Sequence, residues 1–206
     1  MAKAEKLQIA VLASGSGSNL QAIIDEIAAG LLPAELCLVI SDKPDAYALQ
    51  RAQKADIPIK VLLPKDFASR EEYDAQLVKL LRAAGAEAVA LAGYMRLVTP
   101  VLLQVFPQRV LNIHPALLPA FPGLHAQRQA FEYGVKVAGC TVHFVDEGMD
   151  SGPIILQAPV PVLDNDDEDS LTARILGQEH VIYPLALRLL AEGKLHIDGR
   201  RVRIDD

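Results

Sequence analysis

Through its first half the chain alternates short apolar runs with amphipathic stretches. Leu7–Ala13 is almost wholly apolar and of strand length, which predicts a buried strand. Leu20–Ala29 carries apolar residues at helical spacing and is closed by Gly30, predicting a helix. A second strand is expected over Glu35–Ser41, then a turn at Lys43-Pro44-Asp45, a helix near Ala46–Ala55 and a third strand over Ile59–Leu62. Ser69 and Glu72 have capping-box spacing, so a helix should open there and run to about Ala84. Glu87–Leu91 and Arg109–Ile113 complete a set of five strands. Strand followed by helix followed by strand predicts an α/β fold, a mostly parallel sheet with helices on both faces.

The second half reads differently. Pro119, Pro122 and Gly123 make Leu117–Leu124 a loop. Lys136–Val145 alternates in the manner of a strand, Pro153–Val160 forms another, and the turn-rich Asp146–Gly152 lies between them. A long helix is expected over Asp167–Ala191, then a small hairpin over Leu195–Ile204 turning at Asp198-Gly199. Without an internal repeat or low-complexity linker, residues 1–206 are expected to form one domain.

Composition narrows the function. A chain with 51% hydrophobic and 22% charged residues belongs with folded globular proteins rather than disordered ones. Aromatics at 5% and the lack of Trp disfavour base-stacking platforms, and a net charge of -6 disfavours a grip on a nucleic-acid backbone. A single phosphate remains possible, because a nest of backbone N–H groups can hold one in an acidic protein. Cys37 and Cys140 lack any CxxC spacing and are expected to be buried apolar side chains, not a disulfide or metal pair. No run has the length of a signal core or a membrane span, so the cytoplasm is the expected compartment.

Four places carry candidate chemistry. Ser14-Gly15-Ser16-Gly17-Ser18-Asn19 joins the first strand to the first helix, where small residues and free helix N–H groups suit a phosphate. Leu20 stands where a third glycine of GxGxxG would be, and no P-loop Lys follows, so neither standard nucleotide motif is met. The alternative is a plain tight turn with Ser18 or Asn19 as helix cap. In Leu111-Asn112-Ile113-His114-Pro115, Asn112 and His114 share one strand face, and Pro115 marks the strand's C-terminal end. An oxyanion donor and a proton carrier are one reading; two side chains that tie down the next loop are the other.

Asp150 is either a turn former or a carboxylate beside His114 that favours the imidazolium and fixes its tautomer. Glu179 interrupts the apolar stripe of Leu176, Tyr183 and Leu190, and needs either a partner such as a ligand hydroxyl or amine, or an escape to solvent. Arg70, a cation at a helix start, is either simply exposed or directed at an acidic ligand. The acidic run Asp164–Asp169 suits a helix start better than a calcium loop. His125, His143, His180 and His196 match no familiar ligand set, so no metal is expected.

Together these segments resemble the phosphoribosylglycinamide formyltransferases of purine biosynthesis, from about Ile9 to Ala191. The resemblance rests on Gly15-Ser16-Gly17-Ser18-Asn19-Leu20, Ala92-Gly93-Tyr94-Met95-Arg96, Asn112-Ile113-His114-Pro115-Ala116-Leu117-Leu118-Pro119, Asp150-Ser151-Gly152-Pro153-Ile154 and Gln178-Glu179-His180. It implies a Rossmann-like fold with an antiparallel extension in its C-terminal half. About 7–108 would bind the ribonucleotide, and about 109–206 would carry the catalytic and folate-binding groups. By that likeness Asn112, His114 and Asp150 are the catalytic trio, and Gly17, Ser18, Asn19, Gly93, Gln178 and Glu179 bind the ribonucleotide. Arg70, Met95, Arg96, Leu97 and Val98 line the folate site, with Asn112 and the turn of Asp146, Glu147, Gly148, Met149 and Asp150. The co-substrate implied is 10-formyltetrahydrofolate, the acceptor glycinamide ribonucleotide, and the protein a monomer or weak homodimer.

Ala116 and Ser151 depart from the family, which often has Ser and Gly there. Methionyl-tRNA formyltransferase and formyltetrahydrofolate deformylase share some of these segments but carry added domains not expected here. A non-catalytic phosphate-binding module would explain the glycine loop alone.

Overall fold

The computed structural model describes residues 6–205, so the ends of the expected 1–206 domain, residues 1–5 and 206, lie outside it. Its strands are β1 (Leu7–Ala13), β2 (Ala34–Ser41), β3 (Ile59–Val61), β4 (Ala88–Leu91), β5 (Val110–His114), β6 (Val137–Phe144), β7 (Ile154–Pro161), β8 (Leu195–Asp198) and β9 (Arg201–Ile204). They form one sheet in the order β3-β2-β1-β4-β5-β6-β7-β9-β8. The pairs from β3 to β5 are parallel, whereas β6 runs antiparallel to both β5 and β7. The Rossmann-like sheet with an antiparallel extension is therefore present.

The helices are α1 (Ser18–Ala28), α2 (Tyr47–Lys54), α3 (Arg70–Ala83), α4 (Pro100–Leu103), α5 (Ala126–Tyr133) and α6 (Glu168–Ala191). Alternation along β1 explains the layering. Ile9, Val11 and Ala13 pack with α1 and α6, while Ala10 and Leu12 pack with Tyr73, Leu77 and Leu81 of α3 and Leu102 of α4. Burying each such large aliphatic chain contributes roughly 1.5–3 kcal/mol. Tyr183 of α6, fully buried, points its hydroxyl at the carbonyls of Leu91 (2.9 Å) and Leu111 (3.1 Å), and so holds β4 and β5 at one height.

Several local expectations need correction. The N-cap of α1 is Gly17 in left-handed backbone with no side-chain cap, so neither Ser18 nor Asn19 caps it. At α3 the Ser69 hydroxyl accepts from Glu72 N–H, but Glu72 reaches back to Ala68 N–H rather than to Ser69. Strand β6 is buried along nearly all its length, because β5 and β7 flank it, α6 packs on one face and the Ala116–Leu118 loop lies on the other. The hairpin turns at Gly199-Arg200, one residue later than read. α4 and α5 were not foreseen: four residues are too few to show a period, and the N-cap of α5 is His125 in left-handed backbone with no side-chain cap. Cys140 is buried and its thiol is pushed up to about 12, first by burial and then by the charge of Glu179; Cys37 is only half-buried.

The acidic run works as helix-start chemistry. Asp167 and Ser170 form a reciprocal capping box on α6, and Asp166 grips Arg174 through two 2.7 Å bonds. Among the described residues no group of His, Cys, Asp and Glu gathers as a metal would require, and no helix is long and apolar enough to cross a membrane.

Candidate active site

Sheet order reverses between β1 and β4, so the loops leaving their C-terminal ends diverge and open a crevice. The Ser14–Asn19 loop leaves β1 there, and residues 92–99 leave β4. Gly17 needs its lack of side chain twice: its φ is +69°, and a Cβ would sit 2.6 Å from Ala48 Cα. With Gly17 as cap, the N–H groups of Ser18, Asn19 and Leu20 have no helical acceptor and face outward at the positive end of α1. A cleft of about 360 Å³, lined by Ser18, Gln21, Arg51 and His180 among others, runs along this end. Arg51 donates to the Ser16 carbonyl (2.9 Å) and to Gln21 Oε1 (3.1 Å), which holds a guanidinium against the loop.

Asn112 and His114 end β5 beside this crevice, as their spacing implied. His114 is 4% exposed, and its Nε2 lies 2.9 Å from the Phe121 carbonyl. A carbonyl can only accept, so Nε2 carries a proton. Nδ1 faces Asp150 Oδ2 at 3.4 Å. The expected carboxylate–imidazole pair is present.

Asp150 sits in left-handed backbone (φ +49°), a conformation Asp tolerates better than most residues. Its Oδ2 accepts from Gly123 N–H at 2.8 Å, and its Oδ1 lies 3.7 Å from His143 Nε2. Burial works to raise this carboxyl, but His143, the Gly123 N–H and the charges of His114 and His143 together leave it below its usual range.

His143 lies opposite Asn112 in the β5–β6 register. Its Nδ1 is 2.8 Å from the Phe144 carbonyl and must donate to it, so in the neutral ring Nε2 accepts from Asn112 Nδ2 at 3.2 Å. One amide N–H of Asn112 is thereby spent on orientation, and the other remains for a ligand. A charged His143 ring would turn the same Nε2 toward Asp150.

Glu179 is 6% exposed, and its partner is Asn19, whose Nδ2 donates to Oε2 at 2.7 Å. Snorkelling to solvent is ruled out. The side chain of Asn19 turns inward, so only its backbone N–H is left at the helix start; its Oδ1 is buried without a partner. Burial pushes the Glu179 carboxyl up, with the Asn19 hydrogen bond opposing. Gln178 is half-buried on the same helix, and the Gly93 carbonyl is taken by Ser14 N–H at 3.1 Å.

The remaining positions are less tightly held. Met95 and Leu97 are exposed, Arg96 lies over the Tyr73 ring (4.6 Å to its centroid), and Val98 is half-buried. Asp146 Oδ1 accepts from Gly148 N–H (3.1 Å) and from the Ser151 hydroxyl (2.7 Å), leaving Glu147, Gly148 and Met149 exposed on the turn. Gly152 is forced, since a Cβ there would meet the Phe144 carbonyl at 1.8 Å. Arg70 stands exposed at the first position of α3, and no contact ties it to the trio.

A model of the family described as formyl transferase matches residues 7–187. The chain belongs to the formyl transferase family. Among its relatives, the phosphoribosylglycinamide formyltransferase of Escherichia coli (strain K12) is 45% identical, over 95% of this chain and 96% of that protein. A trifunctional purine biosynthetic protein adenosine-3 of Drosophila melanogaster is 52% identical over 94% of the chain, which spans only 14% of that protein's length. The crystal structure of glycinamide ribonucleotide transformylase 1 from Symbiobacterium toebii superposes with a TM-score of 0.96 at 58% identity, covering 98% of this chain and 95% of that one. A formyltetrahydrofolate deformylase from Pseudomonas syringae pv. tomato also shares the fold (TM-score 0.91, 28% identity, 67% of that chain), so architecture alone does not separate transfer from hydrolysis.

Within this formyl transferase, the two positions expected to depart from the family, Ala116 and Ser151, are each held by a hydrogen bond. At Ala116 the chain is held through its carbonyl, which accepts from the Thr141 hydroxyl at 2.6 Å. The Ser151 hydroxyl donates to Asp146 Oδ1 and so braces the turn. Sequence reasoning missed His143, the Phe121 carbonyl and Arg51. His143 could have been found only from the β5–β6 register, and the other two only from tertiary structure.

Proposed function

We propose that this enzyme transfers the formyl group of 10-formyltetrahydrofolate to the amine of glycinamide ribonucleotide in purine biosynthesis, with Asn112, His114 and Asp150 as its catalytic groups. One observation carries the reading: Asp150, from a turn far along the chain, lies 3.4 Å from His114 at the C-terminal end of β5, and His143 stands between that carboxylate and Asn112.

The acceptor's phosphate would lie on the N–H groups of Ser18, Asn19 and Leu20, with Arg51 near it, and Glu179 and Gln178 would take the ribose. The segment Gly93–Val98 supports a heterocycle: Arg96, Leu97 and Val98 have backbone groups without backbone partners, and exposed Met95 and Leu97 flank them. The Asp146–Asp150 turn would close the folate site from the other side, with Arg70 nearer its acidic tail.

The chemistry is direct acyl transfer. The neutral amine attacks the formyl carbon, and the carbonyl oxygen becomes an oxyanion. Asn112 offers its free N–H to that oxygen. His114 offers Nε2–H, which exchanges the Phe121 carbonyl for the oxyanion as the latter develops charge. Asp150 balances the imidazolium. Collapse breaks the bond from carbon to the folate nitrogen, and the amine's proton passes to that nitrogen, by way of water. The test is absorbance-monitored conversion of a formyl-folate analogue with and without glycinamide ribonucleotide. Turnover that requires the amine is the expected result; equal formyl release without it makes the enzyme a hydrolase.

A further inference from the structure

The crevice has a polar link that the catalytic account does not use. Ser14, 3% exposed and next after β1, joins the two loops that flank the switch point. Its backbone N–H donates to the Gly93 carbonyl at 3.1 Å, and its hydroxyl oxygen accepts from Met95 N–H at 3.0 Å. The far end of the same segment is tied from α3 by buried Asp74, which accepts from Thr99 N–H, and the near end also by the Tyr94 hydroxyl, which bonds that of Tyr73 at 3.1 Å. Residues 94–98 have no helix or strand ladder of their own. Their height above the sheet is thus set by side chains at two ends, and Ser14 supplies the end nearest the acceptor's loop.

We infer that Ser14 is a positioning residue for the folate co-substrate: its hydroxyl registers the Met95–Val98 backbone against the glycine loop. A heterocycle recognised by backbone N–H and C=O groups is sensitive to where that backbone stands, because a hydrogen bond weakens steeply with distance and angle. Losing the hydroxyl frees Met95 N–H while keeping the Ser14 N–H bond, so the acceptor's loop keeps its shape. This inference rests on the function proposed above, in that folate is taken to lie on this segment.

The experiment compares wild type with Ser14→Ala. It uses steady-state kinetics for both substrates, direct binding of a 10-formyl-folate analogue, and thermal unfolding. Ser14→Thr, which restores a hydroxyl, serves as the rescue. We expect KM for formyl-folate and the analogue's Kd to rise about fivefold, the size of one lost hydrogen bond. KM for the ribonucleotide should stay within twofold, and Ser14→Thr should move the folate constants back toward wild type. A folate KM that rises less than twofold, or rises in step with the ribonucleotide KM, overturns the inference while wild-type turnover keeps the proposed function standing. If wild type itself fails to bind the folate analogue, the function and the inference fall together.

Discussion

Glu179→Gln should make the protein more stable and a poorer enzyme. In the wild type, Glu179 is almost fully buried on α6 and receives one hydrogen bond, from Asn19, while Asn19 Oδ1 stays buried and unpaired. A carboxylate with one donor leaves most of its lone pairs unsatisfied, which is why burial raises its proton affinity. Gln keeps the shape. Its oxygen can still accept from Asn19 Nδ2, and its own N–H₂ can reach Asn19 Oδ1, which pairs that orphan.

The gain combines one added neutral hydrogen bond with relief of part of the desolvation penalty. Together these come to roughly 2 kcal/mol, or about 4–8 °C in Tm for a chain of this size. The sign follows from the raised carboxyl. Its contribution is fully present below the ordinary Glu value and is lost as pH rises through the folded value. The advantage of Gln should therefore be small near pH 4, grow with pH, and then level off. Thermal unfolding at pH 4.5, 7 and 8.5 reads the trend, and steady-state kinetics read the loss: KM for the ribonucleotide should rise, since a ribose hydroxyl loses its charged acceptor. A Tm at pH 8.5 that is unchanged or lower than wild type would refute the reasoning. So would an advantage that shrinks as pH rises.

Three further outcomes are expected. Gly17→Ala should destabilise by about 2–3 kcal/mol and raise the ribonucleotide KM, since the new methyl meets Ala48 within 2.7 Å and the backbone is left-handed; urea denaturation and initial rates check both. Asp150→Asn keeps the acceptor for Gly123 N–H but loses the charge between two imidazoles. Because this carboxyl is depressed in the fold, the stability cost should be full at neutral pH and disappear only as pH falls through that lowered value; an equal cost at pH 7 and at pH 3 would contradict it. His143→Phe should lower kcat roughly tenfold with little change in either KM, because Asn112 loses the acceptor that orients it; an unchanged kcat in a folded variant removes that role.

The parallel half of the fold was legible because β1 and β2 are apolar runs bounded by Gly and Pro punctuation, a pattern with few other readings. The active edge was legible for a related reason: Pro115 ends β5 at His114, and alternation puts Asn112 on the same face. Pairing across the chain was not. Nothing within residues 137–144 announces that His143 stands opposite Asn112, since that depends on the register of an antiparallel pair separated by a loop and a helix. The inward turn of Asn19 was hidden for the same reason. Its partner lies 160 residues away, and a loop Asn is as well suited to capping its own helix. The resemblance supplied what spacing could not, namely the expectation that Glu179 and the glycine loop serve one ligand, and the structure joins them through the Asn19–Glu179 hydrogen bond.

The proposed chemistry depends most directly on the Asn112 amide. Turnover of Asn112→Ala, measured at saturating formyl-folate and ribonucleotide with Tm as the check on folding, should fall by about 10²–10³, the usual effect of deleting an oxyanion donor. A folded variant that turns over within a few-fold of wild type would contradict the account.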